Sequence, residues 1–210
     1  MNAFWPELSA EADQIFKYWQ QILVLDKEAW KALPEGKKPE VYAETHDLDE
    51  FWSHRLLEQN GLTMTVIAFR NEFKQIDLNF DKRMGMVEFL LYKYKQSVKV
   101  MLTRPQGTNE LLVRAQKALD EVNAEINRIE TEKSALEKAA EGDGVKARTA
   151  KASLAALLSA DQTELNKKLM TAEAAVRKAQ KAPGDSPQGQ LWWLSREIEE
   201  AKKYKPKAKQ

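Results

Sequence analysis

From Leu112 to Leu136, residues recur at alternating steps of three and four: Leu112, Ala115, Leu119, Val122, Ile126, Ile129, Lys133 and Leu136. That spacing is the a/d seam of a helix that must pack lengthwise against another helix, with one polar break at Lys133. A helix of about 31 residues covering the seam is about 46 Å long. Glu141-Gly142-Asp143-Gly144 turns the chain, and Leu158, Leu165, Leu169, Ala172, Val176 and Ala179 return with similar spacing. The simplest fold is a long antiparallel helical hairpin, and a parallel coiled-coil dimer is its competitor. Beyond it, APGDSPQGQ (182–190) reads as a flexible link, LWWLSREIEEAKKY as a short helix, and KYKPKAKQ as a frayed basic tail. Trp192-Trp193 suits docking of that helix better than a ligand platform.

Ahead of the seam, helical spacing continues and period-two alternation is nearly absent. A first helix is expected from about Ser9 to Leu25, with Ser9 as N-cap and Ala12, Ile15, Phe16, Trp19, Ile22 and Leu23 on one face. LPEGKKPE (33–40) is a loop. Asp47 or Asp49 caps a helix through Phe51, Trp52, Leu56 and Leu57, and Gly61 suits its left-handed C′ position. Further helices are expected at about Met64–Ile76 and Val87–Met101, with a hinge at Arg104-Pro105-Gln106-Gly107. The fold class is therefore all-α.

Composition narrows the chemistry. Of 210 residues, 43% are hydrophobic and 31% charged, enough apolar content for a core. The net charge of +1 gives no global field for a polyanion, so nucleic acid is not an expected partner. The absence of cysteine removes disulfides, thiol nucleophiles and Cys-based metal sites, and only two histidines are present, His46 and His54, read as surface residues. No nucleophile–base pair or Gly-rich phosphate loop stands out, so no enzyme is expected. The N-terminal stretch lacks a signal-peptide pattern and no apolar run approaches the ~18 residues of a membrane span. A cytoplasmic protein is expected.

The motif with most chemistry is Asp77-Leu78-Asn79-Phe80-Asp81-Lys82-Arg83-Met84-Gly85-Met86-Val87-Glu88. It matches the EF-hand loop at positions 1, 3, 5 and 12. Calcium takes hard oxygen ligands, here the side chains of Asp77, Asn79, Asp81 and Glu88 and the backbone carbonyl of Arg83. Gly85 leaves room for a water at position 9. Met84, at position 8, is apolar, as a residue pairing with a second loop should be. Phe69, Phe73 and Ile76 before the loop, and Phe89 and Tyr92 after it, supply helix–loop–helix packing. Position 6 normally holds Gly because the backbone turns there through a left-handed conformation; Lys82 stands there at a cost of roughly 1–2 kcal/mol. Two states stay open, a weak calcium site and a hand that keeps the shape without the ion. EF-hands pair, and a degenerate partner hand is expected within residues 9–60.

The run IDLNFDKRMGMVEFLLYKYK (76–95) resembles the second EF-hand of the calcium-regulated actin-bundling proteins of amoebae. The resemblance continues through RAQKALDEVNAEINRIETEKSALE (114–137), LNKKLMTAEAAVRKAQK (165–181) and QLWWLSREIEEAKKY (190–204). It implies an F-actin cross-linker associated with the cytoskeleton, with Ca2+ as cofactor and F-actin as partner, and an actin-binding stretch at about Asn109–Lys167. Charge on that stretch singles out Arg114, Lys117, Lys133, Lys138, Lys146, Arg148 and Lys151 as cations for an acidic filament surface. The division expected is an EF-hand-like domain over 1–104 and a helical-hairpin domain over 105–210, in a monomer or a weakly self-associating chain. Residues 1–60 carry net charge −6 and 61–108 carry +4, so masking of the basic helical region by the acidic half is an expected mode of control. The alternatives are a calcium sensor or buffer, and a coiled-coil scaffold binding something other than actin.

Overall fold

The computed structural model describes residues 1–104, 109–182 and 187–207. They form two compact units: Ala3–Pro105, and Gln106–Gln210 together with Met1–Asn2.

In the first unit, α1 (Trp5–Leu8) and a 3-10 turn at Ser9–Glu11 lead into α2 (Ala12–Ala32). Ser9 therefore does not cap this helix, which runs past Leu25 to Ala32 with Ile15, Phe16, Tyr18, Ile22 and Leu25 buried. A loop leads to strand β1 (Asp47–Asp49) and helix α3 (Glu50–Gln59). Asp49 is the cap, its carboxylate accepting from the Trp52 N–H at 3.0 Å. Gly61 sits at φ +74°, the left-handed conformation that stops the helix without a Cβ clash. Helix α4 (Val66–Ile76), capped by the Thr65 hydroxyl, leads through the Asp77–Glu88 segment and strand β2 (Arg83–Gly85) to α5 (Met86–Lys93).

The continuous helix expected over Val87–Met101 is instead two, α5 and α6 (Val98–Thr103). The break has a local cause. Lys95 adopts φ +50°, its N–H donates to Tyr92 O, and the Gln96 N–H reaches back to Leu91 O at 2.8 Å. This is the Schellman closure, with lysine in the position usually given to glycine. The core joins Tyr18, Ile22 and Leu25 to Leu48, Leu56, Leu57, Phe69, Phe73, Ile76, Met84 and Phe89.

In the second unit, α7 (Glu110–Ala140) is one unbroken helix of 31 residues. Gly144 turns the chain at φ +111°. The return is α8 (Val145–Ser159) and α9 (Thr163–Gln180), separated by extended backbone at Ala160. Helix α9 packs along the first part of α7, and α10 (Gln188–Lys202) lies against both. Leu112, Ala115, Leu119 and Val122 meet Leu165, Leu169, Ala172, Val176 and Ala179, with Leu191, Leu194 and Ile198 completing a three-helix core. Helix α8 buries only Ala147 and Ala150.

Residues 183–186 of the link expected at 182–190, and residues 105–107 of the expected hinge, lie outside the described residues; Gln188–Gln190 already belong to α10. Asn2 caps that helix, its side-chain oxygen accepting from the Gln190 N–H at 2.7 Å. A Cβ on Gly189 would lie 2.9 Å from the Met1 carbonyl carbon, so only glycine admits this approach. The start of the tail is not frayed, since the Tyr204 hydroxyl donates to Glu130 at 2.7 Å.

Candidate functional site

Helix α4 delivers Asp77 at its C-terminus, and from there the segment closes on itself through its own side chains. The Asp77 carboxylate accepts from the Asp81 N–H at 3.1 Å and the Lys82 N–H at 2.9 Å. Asn79 Oδ1 accepts from Asp81 N–H, and Asp81 Oδ1 from Arg83 N–H at 2.7 Å. Glu88 accepts from Leu78 N–H at 2.9 Å and Gly85 N–H at 2.8 Å. Phe80 and Lys82 both adopt left-handed φ, +61° and +64°. The backbone makes the EF-hand turn at position 6 even though lysine stands there.

Strand pairing supplies the partner hand. Leu48 lies opposite Met84, with Asp47 opposite Gly85 and Asp49 opposite Arg83. Helix α2, the loop to β1, and α3 are therefore the partner helix–loop–helix. The same register places Trp52 where the second hand has Glu88, so the first loop lacks the bidentate carboxylate. A buried side chain organises it instead. Asp26 accepts from the Tyr42 hydroxyl at 2.8 Å, the Thr45 N–H at 2.9 Å and the Thr45 hydroxyl at 2.8 Å. Burial, and then the hydrogen bond to Asp26, push the Tyr42 hydroxyl well above its usual pKa.

Arg83 ties the two loops together. Its Nε pairs with the Asp47 carboxylate, and its terminal nitrogen donates to Asp47 O at 3.3 Å. Its charge is thereby directed to the neighbouring hand, leaving Lys82 as the cation inside the loop sequence. Calcium fits the donor chemistry of Asp77, Asn79, Asp81, Glu88 and the Arg83 carbonyl, all hard oxygens in register. Among the described residues, however, no three acids or histidines converge as a ready metal group. The carboxylates face the loop's own amides, so a cation competes with those donors, above all at Glu88.

His54 is not a bland surface residue: its Nε2 lies 3.0 Å from Met64 O and its ring packs edge-on against Phe69. His46 is exposed.

The candidate filament cations separate into groups. Lys133 has a side chain only 15% exposed and is paired with Glu130 at 2.6 Å. Arg114 and Lys117 are exposed near the start of α7, whereas Lys138 is exposed at its other end. Arg114 and Lys138 are 24 residues apart on one helix, about 36 Å, and do not form one patch. Lys146, Arg148 and Lys151 are exposed on α8, across the Glu141–Gly144 turn from Lys138. Among the described residues these three have no side-chain ion pair. No acid occurs between Gly144 and Ala160.

A charged cluster that the apolar pattern does not show lies where α7 meets α9. Glu125 is buried, bonded to Arg128 at 2.6 Å and to Lys168 at 2.7 Å. The hydrogen bond from Arg128, then that from Lys168, hold its carboxyl down at about 2.

Residues 83–210 match the family described as F actin bundling C terminal. The whole chain aligns with the calcium-regulated actin-bundling protein of Dictyostelium discoideum at 32% identity, covering 83% of that protein. The chain belongs to this F-actin bundling family. The crystal structure of the 34 kDa F-actin bundling protein from Dictyostelium discoideum superposes with a TM-score of 0.77 at 32% identity, over 96% of this chain and 88% of that one. The family match begins at Arg83, inside the second hand, and continues to the chain's end. Both the paired hands and the three-helix core are therefore within the aligned region of the full-length relative. Among the described residues no helix is long and apolar enough to cross a membrane.

Proposed function

We infer that this chain binds F-actin and bundles it as a structural element of the cytoskeleton. Family membership along the whole chain is the observation that carries this reading. Within the chain we assign the filament face to α8 and the adjoining end of α7, through Lys138, Lys146, Arg148 and Lys151. The support is electrostatic. Exposed cations on an acid-free helix are suited to an acidic filament surface, and their attraction falls with added salt. Arg114 and Lys117 form a separate, subsidiary group, and Lys133 serves the fold. The functional division we assign follows the chain, with residues 1–104 as the regulatory half and 105–210 as the filament-binding half.

Asp77, Asn79, Asp81 and Glu88, with the Arg83 carbonyl, are the residues that would hold calcium. When bound, the ion supplies a hard positive centre that gathers these oxygens. The chain's own residues set the affinity. Lys82 opposes a cation by charge, and Glu88 already serves two amides. Calcium binding is accordingly weak, and the first hand, held by Asp26, needs no ion.

Co-sedimentation with F-actin at high and low speed, with calcium and with chelator, tests the reading. Pelleting at both speeds in chelator, reduced by calcium, is expected. Bundling needs two filament contacts, from two sites on one chain or from association of two chains. Failure to pellet with actin at either speed overturns the reading.

A further inference from the structure

Helix α8 breaks several rules of helix stability at once. Gly144 supplies no side-chain cap, the first turn has no acid, and Lys146 sits there against the positive end of the helix dipole. Only Ala147 and Ala150 are buried, so the helix opens locally at low cost. Within it lies Lys146-Ala147-Arg148-Thr149-Ala150-Lys151. Thr149 is exposed, and among the described residues its hydroxyl makes only a back-bond within its own turn, donating to Val145 O at 3.0 Å. It is the one serine or threonine of the chain with cations at the −3, −1 and +2 positions together. An acidic substrate groove reads that arrangement by charge complementarity.

We propose that Thr149 is a phosphoacceptor for a basophilic serine/threonine kinase, and that phosphate there switches off the filament face of α8. The inference rests on the assignment of that face to F-actin. In the transfer, a bond forms between Thr149 Oγ1 and the γ-phosphorus of ATP. The bond from that phosphorus to the β–γ bridging oxygen breaks. ADP leaves, and the hydroxyl proton passes to the kinase's base. The product adds about −1.5 to −2 of charge among three cations, so up to about half of the positive charge offered to the filament is cancelled.

The test is to incubate the full chain with ATP and the catalytic subunit of cyclic-AMP-dependent protein kinase, and separately with a protein kinase C catalytic domain. Phosphate is located by mass spectrometry, and treated and untreated protein are then compared in F-actin co-sedimentation. Phosphate at Thr149, absent from Thr149→Val, with binding weakened roughly fivefold or more, is expected. No phosphate at Thr149 with either kinase, or phosphate on Ser153 instead, overturns the acceptor. Phosphate at Thr149 with unchanged binding overturns the switch. If untreated protein does not pellet with actin, the filament reading fails and the switch with it, while the mass spectrum still decides the acceptor.

Discussion

At the scale of single residues, two positions show how this chain has departed from an efficient calcium hand. Lys82 holds φ +64°, where an L side chain costs roughly 1–2 kcal/mol. Lys82→Gly removes that strain and one opposing charge, although glycine's freedom in the unfolded chain returns part of the gain. We expect net stabilisation of up to about 1 kcal/mol in chelator, read by thermal unfolding, and tighter calcium binding by calorimetry; unchanged affinity would show that Glu88, not Lys82, sets the limit. Asp26 is the complementary case, a carboxylate organising the loop of the first hand. Asp26→Asn replaces one acceptor oxygen by a donor while Tyr42 and Thr45 still present theirs. It should destabilise the protein by about 1.5–3 kcal/mol, measured by denaturant unfolding. A loss below a few tenths would mean that the loop is held by other contacts. The Asp77–Glu88 loop is legible because its spacing is a local code. Asp26 was not, since its partners lie 16 and 19 residues downstream.

At the scale of elements, periodicity revealed what is periodic and missed what geometry decides. The seam at Leu112, Ala115, Leu119, Val122 and Ile129 is buried as its spacing implies. The two short strands leave no periodic signal because three residues are too few to show alternation, though Met84 signals its partner. The break between α5 and α6 was hidden because Lys95 takes a conformation that sequence rules give to glycine. Glu125 was hidden because a carboxylate beside the seam looks solvated until α9 brings Lys168 to it. Its depressed pKa has a consequence for the α7–α9 contact. The stabilising contribution is complete above the ordinary carboxylate value of 4.5 and is lost as pH falls toward about 2. In far-UV unfolding, Glu125→Gln should be less stable than the parent at pH 6, with the gap closing as pH approaches 2. A gap independent of pH would mean that Glu125 contributes through packing and not through its charge.

At the scale of the whole molecule, we assign calcium chemistry to one unit and filament attraction to the other. The seam and the EF-hand spacing are legible in the sequence, but not which cations serve a partner, because that depends on what each side chain already faces. Lys133 faces Glu130, whereas Lys146, Arg148 and Lys151 share a helix without a single acid. The most direct measurement is F-actin co-sedimentation of Lys146→Glu/Arg148→Glu/Lys151→Glu beside the parent and beside Arg114→Glu/Lys117→Glu, all at one ionic strength. We expect the α8 variant to lose about tenfold or more in affinity, with several screened ion pairs removed and replaced by repulsion, while the α7 variant loses less. Equal binding by the α8 variant and the parent would contradict it and move the filament face elsewhere on the chain.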